Sequence, residues 1–574
     1  MTDTASTDTE TGSWDHQVDL LVVGSGAGAM TAAIVAFDRG ADTLLIEKSS
    51  QYGGSSAMSG GSLWIPNNHL MLDAQVNDTR ADALTYLTSA TAGRVPEAKL
   101  EAYVDAAPEM LRYLTDRAHL RCQALPHYCD YYPTLPGSKP GARSIEADTF
   151  DGRLLGEEVL RLREPSVQTL ILGRVSMTAA EARVLLVRSR GWIALTLRLM
   201  LRYALDLPWR LRSKRDRALT MGNALVGRLR LALRDRGIPL WLETPARELV
   251  IEDGRVVGVV AEREGRRVRI RARHGVILAA GGFEGSQALR EKYLPNPTRA
   301  EWSAANPQNT GDALLMGLAV GAATDFLDDA WWGPTTVVPG ESRARMLVIE
   351  KSLPGSILVN QAGARFVNEA APYIDVVRAM YEKHASGTSS VPAYLVFDGR
   401  FRRSYPFGPF LQSSQQPDRL ISSYIDRGYL RRSDTLRGLA EQLGVDADGL
   451  EATVRKVNEY ARTGVDLDFR RGDNLFDRYY GDQNIRPNPC LAPLEKPPFY
   501  GIEAYAGDLG TKGGLRTDER ARVLRESGDV IPGLYAVGNC SAALMGPTYA
   551  GAGATLGPAM TFGYLAARDA TPDR

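Results

Sequence analysis

The chain has 574 residues, more than a single hydrophobic core usually holds, which favours two domains. Its 68 basic and 68 acidic side chains balance, and this argues against nucleic acid as a partner. Four scattered cysteines without a C-x-x-C pair favour a reducing cytoplasm, and neither a disulfide framework nor a metal site is expected. The first ten residues are polar and acidic, so we expect no signal peptide there.

The first predicted element is a strand that leads into a glycine-rich turn. Leu20–Val23 is an apolar run bounded by turn residues, which is typical of a buried parallel strand. Gly24, Gly26 and Ala29 follow in G-x-G-x-x-G/A spacing. A helical pattern then begins at Met30 and stops at a glycine.

A second apolar strand, Thr43–Ile46, ends at Glu47, about twenty positions beyond the glycines as a dinucleotide fingerprint requires. Gly24 permits the tight turn, and Gly26 lets the backbone approach a pyrophosphate. Ala29 is small enough for the helix to pack on the strand, and the helix N-terminus offers free N–H groups to phosphates. Glu47 can accept hydrogen bonds from ribose hydroxyls. The pattern therefore predicts a dinucleotide site.

Further glycine-rich stretches point to the kind of dinucleotide. They contain Lys48, Gly53, Gly54, Ser55, Ser56, Gly60 and Gly61, then Gly281 and Gly282 after a second strand, and Gly538 and Asn539 after a third. With these stretches the chain resembles the FAD-dependent fumarate reductase and ketosteroid dehydrogenase superfamily. The resemblance implies that all of them line one extended FAD. Because no histidine lies in the first stretch, we expect this FAD to be bound non-covalently.

The predicted fold is α/β, with a discontinuous Rossmann-like FAD-binding domain and an inserted α+β catalytic domain. The FAD-binding domain would comprise residues 14–333 and 510–574, and the catalytic, substrate-binding domain residues 334–509. Strand-like pieces of the inserted domain include Ser356–Asn360 and Tyr394–Phe397.

A D-G pair predicts a β-hairpin within the first part of the FAD-binding domain. Asp253 and Gly254 lie between two strand-like runs, Trp241–Ile251 and Arg255–Ala261. This dipeptide suits the tight turns that join antiparallel strands.

Residues 188–217 form a basic segment rich in leucine and aromatic residues, and the compact superfamily members resembled here lack it or have a shorter one. Asp206 and Pro208 exclude a membrane span. Two interpretations remain open. The segment is either a surface helix packed against the protein or a partner subunit, or a helix docked in a membrane interface with Trp192 and Trp209 at the boundary.

The C-terminal glycine-rich region indicates the substrate class. In fumarate reductases a histidine and an arginine of this region hold the dicarboxylate, whereas here Met545 and Tyr549 stand at those positions. A site without these cations cannot easily desolvate two carboxylates. The substrate is therefore expected to be neutral and apolar.

The stretch from Tyr549 to Gly553 resembles the C-terminal signature of 3-ketosteroid Δ1-dehydrogenases, and the stretches around Tyr131, Tyr373 and Gly507–Gly514 are similar to that family as well. The resemblance implies a role for each matched residue. Tyr549 and the Gly553 amide would hydrogen-bond the 3-keto oxygen as an oxyanion-type pocket. Tyr373 would take the proton from carbon 2, and Tyr131 would assist it.

Tyrosines close in sequence compete for these roles. Tyr132 is an alternative to Tyr131, and Tyr405 is an alternative to Tyr373 as the base. The sequence holds 23 tyrosines, and most buried tyrosines merely pack with a satisfied hydroxyl.

The resemblance implies an enzyme of sterol degradation that introduces a carbon 1–2 double bond into 3-ketosteroids and passes electrons to an unidentified, quinone-like acceptor. Alternatives are a Δ4-steroid dehydrogenase, a fumarate reductase-like enzyme, or a non-enzymatic, membrane-docked flavoprotein electron carrier. We expect a cytoplasmic location, on the inner face of the cell membrane if residues 188–217 dock there.

Overall fold

The computed structural model describes residues 13–186 and 190–572. Residues 188–189 of the predicted docking segment and residues 573–574 of the last predicted domain segment lie outside the described residues.

The described part of the chain mixes helices with strands throughout its length. The α-helices are α1 (Ala27–Asp38), α2 (Gly54–Met58), α3 (Leu70–Asp73), α4 (Arg80–Thr91), α5 (Glu97–Arg117), α6 (Ala179–Leu186), α7 (Trp192–Ala204), α8 (Leu207–Arg210), α9 (Met221–Asp235), α10 (Gln287–Tyr293), α11 (Asp312–Ala319), α12 (Tyr373–Ala385), α13 (Gly399–Ser404), α14 (Ser422–Asp426), α15 (Leu436–Leu443), α16 (Ala447–Thr463), α17 (Leu475–Tyr479) and α18 (Leu556–Ala570). The strands are β1 (His16–Val23), β2 (Thr43–Ile46), β3 (Ser62–Trp64), β4 (Cys122–Ala124), β5 (Ser144–Ala147), β6 (Phe150–Asp151), β7 (Leu170–Ile171), β8 (Val175–Ser176), β9 (Ala218–Leu219), β10 (Leu240–Trp241), β11 (Ala246–Glu252), β12 (Arg255–Arg263), β13 (Arg266–Leu278), β14 (Thr324–Asp325), β15 (Ala330–Thr336), β16 (Arg345–Met346), β17 (Ser356–Val359), β18 (Ala393–Phe397), β19 (Arg431–Ser433), β20 (Phe499–Thr511), β21 (Gly514–Leu515), β22 (Arg522–Leu524) and β23 (Val530–Ala536).

The first sheet is parallel where it carries the glycine-rich strand ends. Strands β10, β2, β1 and β13 lie side by side in parallel, and β23 joins the end of β13 in the same direction. Strands β12 and β11 extend the sheet as an antiparallel hairpin, with its turn at Asp253 and Gly254 as predicted. Because β1, β13 and β23 share one direction, their C-terminal ends meet at one edge.

Helix α1 packs closely against the C-terminal helix α18 through two facing glycines. A Cβ atom at Gly28 would lie 2.6 Å from the carbonyl oxygen of Ala559, and one at Gly563 would lie 2.5 Å from the carbonyl oxygen of Gly28. Only glycine permits this approach. The contact fixes the end of the chain beside the glycine turn that follows β1.

The second sheet is antiparallel. Met346 and Leu509 of this sheet line the large cavity that is described below. The strand order is β16, β15, β20, β18 and β17, with β19 also paired to β20. Helix α12 packs on strand β15. The predicted domain boundaries, at 333/334 and 509/510, fall inside β15 and β20.

A small sheet of β3, β5 and β4 lies within the region that precedes residue 150. These strands have only three or four residues each, too few for a periodic pattern to show in the sequence. The central strand β5 is completely buried and carries Glu146, which pairs in register with Ser62 on the cavity wall.

Candidate active site

A cavity of about 440 Å³ extends from the end of β1 to the second sheet. Most residues predicted to bind the cofactor line it: Gly24, Gly26, Ala29, Glu47, Lys48, Gly54, Ser55, Ser56, Gly60, Gly61, Gly281, Gly538 and Asn539. Gly53 and Gly282 are the direct neighbours of lining residues. Elements distant in sequence therefore meet along one continuous space.

The turn after β1 has the geometry that the glycine spacing predicts. Gly24 has a φ of +115°, and a Cβ there would lie 2.3 Å from the carbonyl oxygen of Ala279 on the neighbouring strand. The Ala27 amide, at the start of α1, donates to the Ser56 hydroxyl over 3.0 Å. Ser56 thereby ties the second glycine-rich stretch to the helix N-terminus.

Glu47 lies at the end of β2 and is held in place by two donors. Its Oε2 atom accepts from the Ser25 hydroxyl over 2.5 Å, and its Oε1 atom accepts from the Ser49 amide over 2.9 Å. Lys48 donates to Asp312, which also lines the cavity, over 2.7 Å. Neither Ser25 nor Asp312 was predicted, and Asp312 lies on a different element more than 260 positions away.

Behind Gly281, a polar network supports the middle of the cavity. Asn309 lines the cavity and donates to Ser55 over 3.1 Å and to Glu284 over 2.6 Å. Glu284 is completely buried, and burial raises its pKa to about 7. Asn539, which lines the cavity, accepts a hydrogen bond from the Trp331 indole over 3.1 Å.

These residues fit an extended dinucleotide. At Gly54 and Gly60, a Cβ atom would have no neighbour within 4 Å, although both residues line the cavity. Any side chain there would enter the open space, so these glycines keep it free. Hydroxyl and amide groups of Ser55, Ser56 and Asn309 supply donors along the same wall, as phosphate and ribose groups need.

Tyr131, Tyr373 and Tyr549 come together at one end of the cavity. The hydroxyls of Tyr131 and Tyr373 are 3.3 Å apart. The ring centroid of Tyr549 lies 5.3 Å from the ring centroid of Tyr131 and 5.4 Å from that of Tyr373. All three side chains are buried and line the cavity.

Tyr131 is tied directly to the segment that carries Tyr549. The Ala550 carbonyl accepts from the Tyr131 amide over 3.0 Å and from the Tyr86 hydroxyl over 2.7 Å. Asp130, the residue before Tyr131, forms a buried ion pair with Arg143 at 2.8 Å. A buried ion pair that is well hydrogen-bonded is costly to break, so this loop is held firmly.

The hydroxyl row continues beyond Tyr131. The Tyr128 hydroxyl lies 3.2 Å from that of Tyr131 and forms a short hydrogen bond with that of Tyr480. The Tyr128 ring stacks on Tyr479 at a centroid distance of 4.4 Å. The sequence contains no local signal that brings residues 479 and 480 to this row, since they lie about 350 positions downstream.

The competing tyrosines lie elsewhere. The Tyr132 hydroxyl donates to Asp375 over 3.3 Å, and the Tyr405 hydroxyl donates to Asp482 over 2.6 Å. Both hydroxyls thus have acidic partners that satisfy them. Gly553 lines the same cavity and has a φ of +95°, and a Cβ atom there would lie 2.4 Å from the Ser62 carbonyl oxygen.

The electrostatics of the tyrosine cluster favour protonated hydroxyls. Burial raises the pKa of Tyr373 well above 10, with a further rise from the nearby Tyr549, while the hydrogen bond with Tyr131 lowers it. Burial also raises the pKa of Tyr549, and hydrogen bonds with Tyr373 and Thr555 offset part of that rise. A phenolate in this cluster would therefore depend on hydrogen bonds from the neighbouring hydroxyls for its stability.

The described part of the basic segment forms α7 and α8. Ile193, Leu197, Leu201 and Leu205 recur every fourth residue along α7, and each is 56–71% exposed. Trp209 is only 5% exposed, so its predicted place at a membrane boundary is wrong: its indole donates inward to the carbonyl of Arg215. Among the described residues, no helix is both long and apolar enough to cross a membrane.

Comparison with known proteins agrees with this geometry. The family model for the FAD binding domain matches residues 19–556. A 3-oxosteroid 1-dehydrogenase of Mycobacterium tuberculosis is 44% identical over 563 residues, covering 96% of this chain and 98% of that protein. One of Comamonas testosteroni is 40% identical over 563 residues, covering 97% of this chain and 96% of that protein.

A solved structure is similar over nearly the whole chain. The crystal structure of 3-ketosteroid delta1-dehydrogenase from Sterolibacterium denitrificans, in complex with 1,4-androstadiene-3,17-dione, has a TM-score of 0.94 and 51% identity, covering 97% of this chain and 99% of that one. Fold and site thus define a flavoprotein oxidoreductase whose cofactor is FAD. More narrowly, the chain belongs to the 3-oxosteroid 1-dehydrogenase family. The predicted fold class, cofactor and family are confirmed.

Proposed function

We propose that this protein dehydrogenates 3-ketosteroids between carbons 1 and 2. The observation that carries the proposal is the meeting of Tyr131, Tyr373 and Tyr549 in the cavity that Gly553 also lines. The names of the relatives support the same substrate class.

The roles of the chain's own residues follow from this arrangement. The Tyr549 hydroxyl and the Gly553 amide donate to the 3-keto oxygen and stabilise the negative charge that develops when carbon 2 loses a proton. Tyr373 takes that proton as a phenolate, which the Tyr131 hydroxyl stabilises at 3.3 Å. The chemistry that bound FAD supplies is acceptance of the hydride from carbon 1. Loss of proton and hydride leaves the double bond.

The row of hydroxyls beyond Tyr373 gives the proton a route away from the substrate. Tyr131, Tyr128 and Tyr480 are each within hydrogen-bonding reach of the next. Each hydroxyl can donate one proton and accept another, so a proton can pass along the row.

The cavity suits a neutral ketone better than a dicarboxylate. Met545 is buried, and Tyr549 stands in a cluster of aromatic rings that includes Trp331 at 5.0 Å. A site of this kind offers donors for one carbonyl oxygen and apolar surface for the rest of the substrate.

Anaerobic mixing with a 3-ketosteroid tests the proposal. We expect the wild type to lose its oxidised flavin absorbance and Tyr373→Phe and Tyr549→Phe to lose it at least about 100-fold more slowly, with FAD still bound. Tyr405→Phe is the matched control, since its hydroxyl serves Asp482. Fast bleaching in both active-site variants would contradict the proposed roles, and no bleaching in the wild type would favour a carrier protein.

We also propose that α7 docks on an anionic membrane surface. Its exposed leucine stripe continues into Leu207 and Leu211, which are 64% and 91% exposed. Arg198 and Arg212 lie in the same segment and are 70% and 72% exposed, and they also pair with Glu181 and Glu157. Hydrocarbon would cover the leucines, while anionic head groups would meet the arginines, each contributing about 1 kcal/mol near the surface.

This docking would place the enzyme on the cytoplasmic face of the cell membrane. Lipid-soluble sterol substrates and a quinone-like electron acceptor would then share one phase with it.

Co-sedimentation with anionic liposomes tests the docking. A variant with Ile193, Leu197 and Leu201 changed to serine should stay in the supernatant while the wild type pellets. A variant with Leu420 and Leu467 changed to serine is the control, because both are at least 63% exposed at other places. Equal pelleting of all three proteins, or of none, would refute membrane docking and leave α7 as a protein-contacting helix.

Finally, we infer the domain organisation that the sequence predicts: a FAD-binding domain of residues 14–333 and 510–574 around a catalytic domain of residues 334–509. The two larger sheets share no strand and so support two domains, with the proposed boundaries falling inside β15 and β20 of the second sheet.

A further inference from the structure

Two completely buried lysines lie directly behind the tyrosines of the active site. The Lys351 ammonium donates to the carbonyls of Glu369 and Ala371, both over 2.8 Å. Lys512 has the same arrangement at another place in the chain. It donates to the carbonyls of Gly546 and Thr548 over 2.8 and 2.7 Å. Both side chains are at most 2% exposed.

The four carbonyls belong to the two segments that deliver the active-site tyrosines. Glu369 and Ala371 are four and two residues before Tyr373, which begins helix α12. Gly546 and Thr548 occupy the corresponding turn before Tyr549, three residues and one residue ahead of it. Each lysine therefore holds the short stretch of backbone immediately before one active-site tyrosine, Lys351 before Tyr373 and Lys512 before Tyr549.

Lys512 is also connected to the helix of the other tyrosine. Its ammonium lies 3.6 Å from Asp329, and Asp329 pairs with Arg378 of α12 at 2.6 Å. The Trp331 ring, which contacts Tyr549, lies 4.7 Å from the Lys512 ammonium. One ionic chain thus spans from the Tyr549 segment to the helix that starts with Tyr373.

Burying an ammonium group costs several kcal/mol, so two such groups in equivalent places need a reason. Burial lowers the pKa of both lysines to about 7. The neutral amine keeps two N–H donors, so both pairs of carbonyl hydrogen bonds persist in either protonation state. In both protonation states the long, unbranched lysine side chain reaches two backbone carbonyls at once.

We propose that Lys351 and Lys512 are positioning residues that set the placement of Tyr373 and Tyr549 about the substrate ketone. This inference rests on the proposed roles of the two tyrosines. One tyrosine takes the proton from carbon 2 and the other holds the neighbouring carbonyl oxygen, so a change in either backbone segment displaces one group relative to the other. Displacements of about 1 Å cost about 100-fold in rate when geometry is the source of catalysis.

Methionine substitution removes the donors and preserves much of the side-chain volume. We expect Lys351→Met and Lys512→Met to lower the rate of flavin reduction at saturating steroid about 10- to 100-fold. Because neither lysine lines the cavity, the FAD content and the steroid dissociation constant should change less than about threefold, which is within ordinary variation for residues that do not touch the ligand.

Lys99→Met is the matched control. Lys99 is also buried, at 7% exposure, and donates to the hydroxyl and carbonyl of Thr517 over 2.7 and 3.3 Å. It holds no tyrosine segment. It should lose thermal stability like the other variants and keep flavin reduction within about threefold of the wild type, since mutations distant from the reacting groups rarely affect the chemical step.

The outcomes separate this inference from the proposed function. Equal rate losses in Lys99→Met, Lys351→Met and Lys512→Met would show that all three lysines act only through stability, and would overturn the inference. Wild-type rates in Lys351→Met and Lys512→Met, with Tyr373→Phe and Tyr549→Phe inactive, would overturn the inference alone. Activity in both tyrosine variants would overturn the proposed roles and the inference together.

Glutamine variants decide the matter if the methionine variants lose FAD. The glutamine side chain keeps amide N–H donors but is too short to reach both carbonyls. We therefore expect Lys351→Gln and Lys512→Gln, with FAD bound, to reduce the flavin at least about tenfold more slowly. A wild-type rate in these variants would overturn the inference.

Discussion

Removing the Tyr131 hydroxyl should shift the pH dependence of the reaction. In Tyr131→Phe the ring keeps its packing against Phe476 and Tyr549, at centroid distances of 4.6 and 5.3 Å. The hydroxyl that lies 3.3 Å from Tyr373 is lost. Burial raises the pKa of Tyr373 and the Tyr131 hydrogen bond lowers it, so the variant should need a higher pH to form the phenolate.

The size of this shift follows from the energy of one hydrogen bond. A hydrogen bond to a charged group contributes about 1.5–3 kcal/mol. At about 1.4 kcal/mol per pH unit, the ascending limb of kcat/KM against pH should move up by about 1–2 units. At pH values below the Tyr373 pKa the variant should be about 10- to 100-fold slower, and the deficit should shrink only as the pH approaches that pKa, which burial raises well above 10.

Steady-state turnover of a 3-ketosteroid with an artificial electron acceptor, measured from pH 6 upward until the wild-type rate levels off, gives this profile. Tyr132→Phe is the control, because that hydroxyl donates to Asp375 and should leave the profile unchanged. A profile of Tyr131→Phe that coincides with the wild type would refute the proposed role. A loss that stays the same size into the pH range where both rates have levelled off would assign the hydroxyl to packing or substrate placement instead.

Other predictions concern stability and the cofactor. Burial raises the pKa of Glu146 from 4.5 to about 7. The contribution of Glu146 to the free energy of unfolding is therefore most favourable below about pH 4.5 and is lost as the pH rises through 7. Glu146→Gln should therefore gain stability relative to the wild type by up to about 3 kcal/mol between pH 5 and 8 in denaturant titrations, and a pH-independent difference would contradict this. Gly60→Val would place a side chain in open cavity space, so it should purify with less FAD while its apoprotein melts normally; full FAD occupancy would count against the site. Acid precipitation should release the FAD into the supernatant, and yellow colour in the pellet would indicate a covalent bond.

The dinucleotide element was predictable because all of its parts are local. The strand, the turn at Gly24 and Gly26, the helix and Glu47 follow one another within about thirty residues, as the fingerprint requires. A parallel strand that is buried on both faces appears in the sequence as a continuous apolar run, which is easy to recognise. The partners of Glu47 were not predictable to the same degree, since the fingerprint does not specify a serine and Ser25 lies 22 positions before Glu47.

The active-site tyrosines show the limit of local reasoning. Motif resemblance named Tyr131, Tyr373 and Tyr549, and their roles remain predictions. Their common location depends on packing between segments hundreds of positions apart, which no periodicity encodes. The structure supplies what separates Tyr373 from Tyr405, namely the Asp482 partner of the latter.

The burial of the two lysines was not predicted. Lys512 lies in the Gly507–Gly514 stretch that is similar to the family, but only the fold shows that Lys351 and Lys512 donate to backbone carbonyls. For the proposed membrane-docking segment, by contrast, part of the evidence lies in the sequence itself. The leucine and arginine pattern of residues 188–217 was visible in the sequence, but which leucines are exposed depended on how α7 packs.

The central claim is that the chain removes one hydrogen each from carbons 1 and 2 of a 3-ketosteroid. Incubation of the wild type with a saturated-ring-A 3-ketosteroid labelled with deuterium at carbons 1 and 2, with an artificial acceptor, tests it most directly. The account predicts a product with a carbon 1–2 double bond that has lost one deuterium from carbon 1 and one from carbon 2, and little product from Tyr373→Phe. A double bond at another position, or reduction of the acceptor without any change in the steroid, would contradict it.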